Sequence, residues 1–183
     1  MEFIRTKIQD VFICKPKVFG DERGYFCETF KKAALEKFIG KEINFCQDNE
    51  AKSSLNVLRG LHYQLPPFAQ SKLVRVIKGK VLDIVVDIRK SSPTYGKHVS
   101  VELSEENKLQ LFVPKGFAHG YLTLEEGTIF SYKVDNYYSK ETERGIMYND
   151  ALLNIKWENN EIPFLISEKD KMQPNFKNAE VFE

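Results

Sequence analysis

Apolar and polar positions alternate with a period near two over most of this chain. Val11 to Ile13, Tyr25 to Phe30, Leu73 to Ile77, Val81 to Ile88, His98 to Leu103, Leu109 to Val113 and Thr128 to Val134 follow this pattern, which predicts strands. Turn signals separate them at Lys78-Gly79-Lys80, Ser91-Ser92-Pro93, Pro114-Lys115-Gly116 and Glu125-Glu126-Gly127. Many short strands at such spacing predict an antiparallel sandwich or barrel. The longest helical pattern runs from Lys31 to Ile39, with Ala34, Leu35, Phe38 and Ile39 on one stripe. A second short helix is expected near Ser167 to Met172. There is no internal repeat, low-complexity stretch or linker, so residues 1–183 read as one β-rich domain with a short C-terminal helical annex.

Two details of the alternation bear on chemistry. In Val81 to Ile88, Leu82, Ile84, Val86 and Ile88 share one face, while Asp83, Val85 and Asp87 share the other. Two carboxylates on one face of a central-looking strand suggest that this face lines a polar cavity; the plainer alternative is that it faces solvent. In Arg59-Gly60-Leu61-His62-Tyr63-Gln64, strict alternation sends Arg59 and His62 to opposite faces. A bulge at Gly60 is what would re-aim one of them.

Composition narrows the class. Of 183 residues, 42% are apolar and 13% aromatic, enough for a globular core rich in strands. Lys plus Arg (27) nearly cancels Asp plus Glu (26), which argues against nucleic-acid binding driven by net charge. Cys14, Cys27 and Cys46 are an odd count with no CxxC pair, as expected of reduced thiols. Without a signal core or an apolar run near 18 residues, the expectation is a cytoplasmic protein with no membrane partner.

Only three histidines occur, and His62 keeps company with Arg59 and with Lys72, a cation entering a β-branched run. Imidazole titrates near neutral pH, which makes His62 a candidate base. Further motifs are Phe19-Gly20-Asp21-Glu22-Arg23-Gly24-Tyr25-Phe26-Cys27-Glu28, Gln47-Asp48-Asn49, Lys72-Leu73-Val74-Arg75-Val76, Val86-Asp87-Ile88-Arg89, Pro114-Lys115-Gly116-Phe117-Ala118-His119-Gly120, Tyr132-Lys133 and Ser167-Glu168-Lys169-Asp170. In this order and spacing, over nearly the whole chain, they resemble the dTDP-4-dehydrorhamnose 3,5-epimerase family of the cupin superfamily.

That resemblance implies a jelly-roll β-sandwich or barrel with a few short helices, and a dTDP-4-keto-6-deoxyhexose substrate. The implied reaction converts dTDP-4-dehydro-6-deoxy-D-glucose to dTDP-4-dehydro-L-rhamnose, in deoxysugar supply for surface polysaccharide. C3 and C5 both flank the C4 ketone, so loss of either proton gives an enolate, and neither a metal nor a redox cofactor is called for. By the resemblance His62 is the base, Asp170 its carboxylate partner, Lys72 the cation near the keto oxygen and Tyr132 the acid. Arg23, Arg59 and Lys169 match residues around the diphosphate, where guanidinium forks suit phosphate. Glu28, Gln47 and Asn49, with Asp48 in the same segment, match nucleotide contacts. Tyr138 matches an aromatic stacked on thymine, and His119 and Glu143 match pocket residues. Arg23 and Glu28 reach across a homodimer interface in the family, which implies a homodimer here.

The chain departs from the family pattern at Glu50-Ala51-Lys52, where many members carry a small hydroxyl-bearing pattern. It departs again at Ile146-Met147-Tyr148-Asn149-Asp150, where a tryptophan and paired acids are usual. Three rivals remain at this point. A metal-dependent cupin needs convergent ligands, yet Gln64 stands two residues after His62, and His62, His98 and His119 are spread apart. A non-enzymatic sugar-nucleotide binder is the second. The third is a 3- or 5-epimerase acting on another 4-keto nucleotide sugar.

Overall fold

Strands β1 (Glu2–Arg5), β2 (Phe12–Lys15), β3 (Val18–Asp21) and β4 (Gly24–Cys27) open the chain, followed by helix α1 (Lys32–Ile39). Then come β5 (Gln47–Ser53), β6 (Val57–Gln64), β7 (Lys72–Lys78), β8 (Lys80–Asp87), β9 (His98–Ser104), β10 (Gln110–Val113), β11 (Phe117–Thr123), β12 (Thr128–Val134) and β13 (Glu143–Gly145). Strand β14 (Leu165–Ile166), helix α2 (Glu168–Lys171) and a 3-10 turn (Phe176–Asn178) close it. The computed structural model describes residues 1–157 and 162–183.

Two sheets form a jelly-roll sandwich. One has the order β1-β2-β10-β7-β12-β5 and the other β13-β6-β11-β8-β9, with β14 added in parallel to β6. Strands β3 and β4 form a separate hairpin. Three apolar layers result. Between the sheets lie Val74, Val76, Leu111, Val113 and Phe130 against Val81, Val85, Val99, Leu103, Phe117 and Tyr121. Outside the second sheet, Leu82, Ile84, Val86 and Ile88 pack on Ile146, Leu153, Trp157, Phe176 and Val181 of the C-terminal segment. Outside the first, Phe12, Leu73 and Phe112 pack on Leu35, Phe38 and Ile39 of α1.

Strand β8 is therefore covered on both faces, so its alternation separates two buried environments rather than core from water. Asp83 and Asp87 are both fully buried, against the solvent-facing alternative. Only Asp83 stands beside the cavity. Asp87 sits at the strand end, where Arg89 forks onto it at 2.7 and 2.9 Å and Ser92 and Thr94 donate to it.

Helix α1 forms as its stripe requires and ends at Gly40 (φ 74°), whose N–H returns to the Glu36 carbonyl. The strand expected from Tyr25 to Phe30 stops at Cys27, because the Thr29 carbonyl is taken by Gln110 Nε2 and Phe30 turns onto Phe45. Strand β11 escapes a period-two reading because all seven of its residues are buried. Among the described residues, no helix is long and apolar enough to cross a membrane.

Candidate active site

A cavity of about 530 Å³ opens between the sheets, lined by Arg59 and His62 of β6, Lys72 of β7, His119 and Tyr121 of β11, Tyr132 of β12, and Lys169 and Asp170 of α2. Arg59 and His62 reach it together because β6 carries one extra residue. His119 pairs with His62 and Tyr121 with Arg59, so two steps along β11 match three along β6. Gly60 makes this possible: its φ is 130°, and a Cβ there would lie 2.5 Å from the Gly120 Cα.

His62 Nε2 lies 2.6 Å from Asp170 Oδ1. A carboxylate accepts the Nε2 proton, which leaves Nδ1 as the basic nitrogen. Asp170 is nearly fully buried (side chain 4% exposed), whereas His62 keeps 30% exposure toward the cavity. Burial pushes the Asp170 carboxyl up. The hydrogen bond and charge of His62, the Gly60 N–H and the Ser167 hydroxyl outweigh that and hold it below the usual carboxylate range. Ser167 caps α2 by accepting the Asp170 N–H at 3.1 Å, which locks the one-turn helix that presents the carboxylate.

On the facing sheet, Lys72 and Tyr132 come from neighbouring strands, with Tyr132 opposite Val74. Burial lowers the Lys72 pKa to about 8, against the opposing charges of Asp83 and Glu143. Burial raises the Tyr132 phenol, with Arg59 pulling the other way, so Tyr132 is a neutral proton donor. Beneath them His119 Nε2 meets both oxygens of Asp83 at 2.9 and 3.0 Å. Burial raises the Asp83 carboxyl, opposed by His119 and Lys72.

A second hollow of about 350 Å³ shares His62, Lys72 and Tyr132 and adds Gln47, Asn49, Tyr138 and Glu143. Tyr138 donates to Glu143 Oε2 at 2.8 Å, and Lys169 pairs with the same carboxylate. Those two contacts hold Glu143 below its usual range although burial pushes it up.

Three anticipated residues lie elsewhere. Asp48 points to the opposite face of β5 from Gln47 and Asn49 and pairs with Lys133 at 2.9 Å. Period-two alternation already separates it from its neighbours. Arg23, its side chain 84% exposed, forks onto Asp21 at the tip of the β3–β4 hairpin, and Glu28 is exposed near Lys31. Conversely, Tyr121, Ser167 and Ala51 line the cavity without having been singled out for it. Among the described residues, no three His, Cys, Asp or Glu side chains gather as metal ligands.

The model of the dTDP-4-dehydrorhamnose 3,5-epimerase family matches residues 5–178. The chain belongs to that family. The curated dTDP-4-dehydrorhamnose 3,5-epimerase of Shigella flexneri is 52% identical over 182 residues, covering 100% of this chain and 99% of that one. Among family structures, the enzyme of Elizabethkingia anophelis NUHP1 superposes with a TM-score of 0.93 at 48% identity, covering 97% of each chain. The epimerase of Legionella pneumophila Philadelphia 1, solved in complex with dTDP-4-keto-L-rhamnose, gives a TM-score of 0.93 at 44% identity, covering 97% of this chain and 93% of that one.

Proposed function

We propose that this chain is a 3,5-epimerase that converts dTDP-4-dehydro-6-deoxy-D-glucose to dTDP-4-dehydro-L-rhamnose. The observation that carries this reading is the placement of a carboxylate-paired histidine and a neutral tyrosine on different sheets of one cavity, with a lysine beside the tyrosine. Inversion needs a proton taken from one face of a carbon and another delivered to the opposite face. His62 Nδ1 removes the proton at C3 or C5, and Asp170 stabilises the imidazolium that forms. Lys72 offsets the charge growing on the C4 oxygen, in the manner of an oxyanion hole. Tyr132 returns a proton from the other wall. Tyr138, Gln47, Asn49 and Glu143 at the outer hollow hold the nucleotide end, with Arg59, Lys169 and His119 around the diphosphate and sugar.

Arg23 and Glu28 complete the site of a second subunit in a homodimer. The exposed Phe19, Tyr25 and Phe26 of the hairpin that bears Arg23 support that assembly, since isolated apolar ribbons are normally covered. Residues 1–183 act as one domain. The unpaired thiols Cys14, Cys27 and Cys46 agree with a cytoplasmic setting.

Proton NMR of dTDP-4-keto-6-deoxyglucose in D2O tests the reading. Loss of both the C3 and C5 proton signals is expected, with dTDP-rhamnose formed once a 4-ketoreductase and NADPH are added. Exchange at one carbon would reassign the chain as a single-site epimerase, and exchange at neither would refute the reading.

A further inference from the structure

Gln64 stands two residues past His62 on β6, and its side chain lies in the wall of the outer hollow beside Tyr138 and Glu143. It is buried, with 5% of the residue exposed. Backbone groups engage both ends of its amide. Nε2 donates to the Phe68 carbonyl at 3.0 Å and to the Tyr137 carbonyl at 3.1 Å, and Oε1 accepts the Ser139 N–H at 2.6 Å. A primary amide has two N–H donors, and both are taken, so Gln64 has no proton left to offer a ligand.

Two of those three bonds flank one residue. The Tyr137 carbonyl belongs to the peptide group before Tyr138, and the Ser139 N–H to the peptide group after it. A single side chain therefore holds both peptide groups that orient Tyr138. The segment 135–142, which carries Tyr138 from β12 to β13, contains no helix or strand. Tyr138 is 58% exposed, so packing contributes little to where its ring lies. Its hydroxyl donates to Glu143, and Glu143 stands directly across from Gln64 in the pairing of β6 with β13. One cross-strand pair thus grips Tyr138 at both ends, Gln64 at the backbone and Glu143 at the phenol.

We propose that Gln64 is a positioning residue for nucleotide recognition: it fixes the backbone of Tyr138 so that the ring is set to meet the base, and it governs affinity for the nucleotide rather than the rate of the chemistry. This rests on the reading of the outer hollow as the site of the nucleotide end. An aromatic ring already in place needs no ordering when the base arrives, whereas a loose one loses affinity to that ordering. Gln64→Met keeps the length of the side chain and removes all three hydrogen bonds. The test is calorimetric titration of the full chain with dTDP, in wild type, Gln64→Met, Tyr138→Ala and the double variant. Tyr138→Ala should raise the Kd about 5- to 100-fold, the size of one lost base–aromatic stack. Gln64→Met should raise it about three- to tenfold, the size of roughly one net hydrogen bond, and should add nothing in the Tyr138→Ala background.

Two further readouts separate positioning from a general loosening of the fold. Inorganic pyrophosphate, which lacks the base, should bind Gln64→Met and wild type alike. Steady-state epimerisation by Gln64→Met should show KM raised with kcat kept. Losses that add in the double variant, equal weakening of dTDP and pyrophosphate, or a fall in kcat at unchanged KM overturn the proposal. Where Gln64→Met does not fold, Gln64→Glu enters the same cycle, since it keeps the acceptor for Ser139 and lacks both donors. If Tyr138→Ala binds dTDP as wild type does, the reading of the outer hollow falls, and this inference with it. A loss in Tyr138→Ala without one in the Gln64 variant overturns this inference alone.

Discussion

At the scale of single residues, the site separates its chemistry by environment. His62, the Gly60 N–H and the Ser167 hydroxyl together hold the Asp170 carboxyl below its usual range against its burial, which suits it to serve His62 as a negative partner. Replacing Asp170 with Asn keeps the shape and removes the charge that favours the imidazolium. Exchange at both C3 and C5 should slow by roughly 10³–10⁴-fold with binding of dTDP intact, measured by NMR in D2O. His62→Ala should abolish exchange at both carbons. Tyr132→Phe should instead leave deuterium incorporation detectable while productive inversion fails, because abstraction and delivery come from different walls. Wild-type turnover in any of the three would refute the role assigned to that residue.

In the proposed mechanism Lys72 sets the alkaline limit. Its ammonium is the useful form, and with the pKa lowered to about 8 activity should decline as the pH rises through that value. The groups that face it are Asp83 on β8, Glu143 on β13, His119 on β11, Arg59 and His62 on β6, Tyr132 on β12, and Lys169 and Asp170 on α2. Glu143 favours the charged lysine, so Glu143→Gln should move the alkaline limb of the kcat profile to lower pH. A limb that stays in place would show that another group sets it.

At the scale of elements, the extra residue in β6 decides the geometry. Without it, Arg59 and His62 would face opposite layers. Gly60→Ala would place a methyl 2.5 Å from the Gly120 Cα at a φ that side chains rarely adopt. Thermal or denaturant unfolding should show a loss of roughly 2 kcal/mol or more, together with lost activity. A variant as stable as wild type would show that the bulge tolerates a side chain.

At the scale of the whole molecule, the hairpin β3–β4 is hydrogen-bonded to neither sheet, and its Arg23 is not among the residues that line the cavity of its own chain. In the proposed homodimer, each cavity draws His62 from one subunit and Arg23 from the other. Arg23→Ala and His62→Ala should each be nearly inactive alone. Mixed and reassociated, they should recover about one quarter of wild-type turnover, because half of the dimers are mixed and one of their two sites is intact. No recovery in a mixture shown by sedimentation to contain dimers would place Arg23 outside the partner's site.

Much of the architecture was legible in the order of residues. Periodicity located seven of the fourteen described strands, the α1 stripe and the turns, since a strand that separates two different environments writes that asymmetry into its sequence. The same logic fails for β11, where both faces are covered and every position is buried. It fails again for residues 28–30, where a tertiary hydrogen bond to Thr29 diverts the chain. Local pattern also set Asp48 apart from Gln47 and Asn49, although the motif grouped all three. What the sequence determined by itself was the identity of the chemical groups and the strands that carry them, because side-chain type and a two-residue repeat are local properties. Only the tertiary structure decided which groups meet. Asp170 reaches His62 across 108 positions of chain, because sheet register, the bulge at Gly60 and desolvation between two sheets depend on contacts that no local pattern encodes.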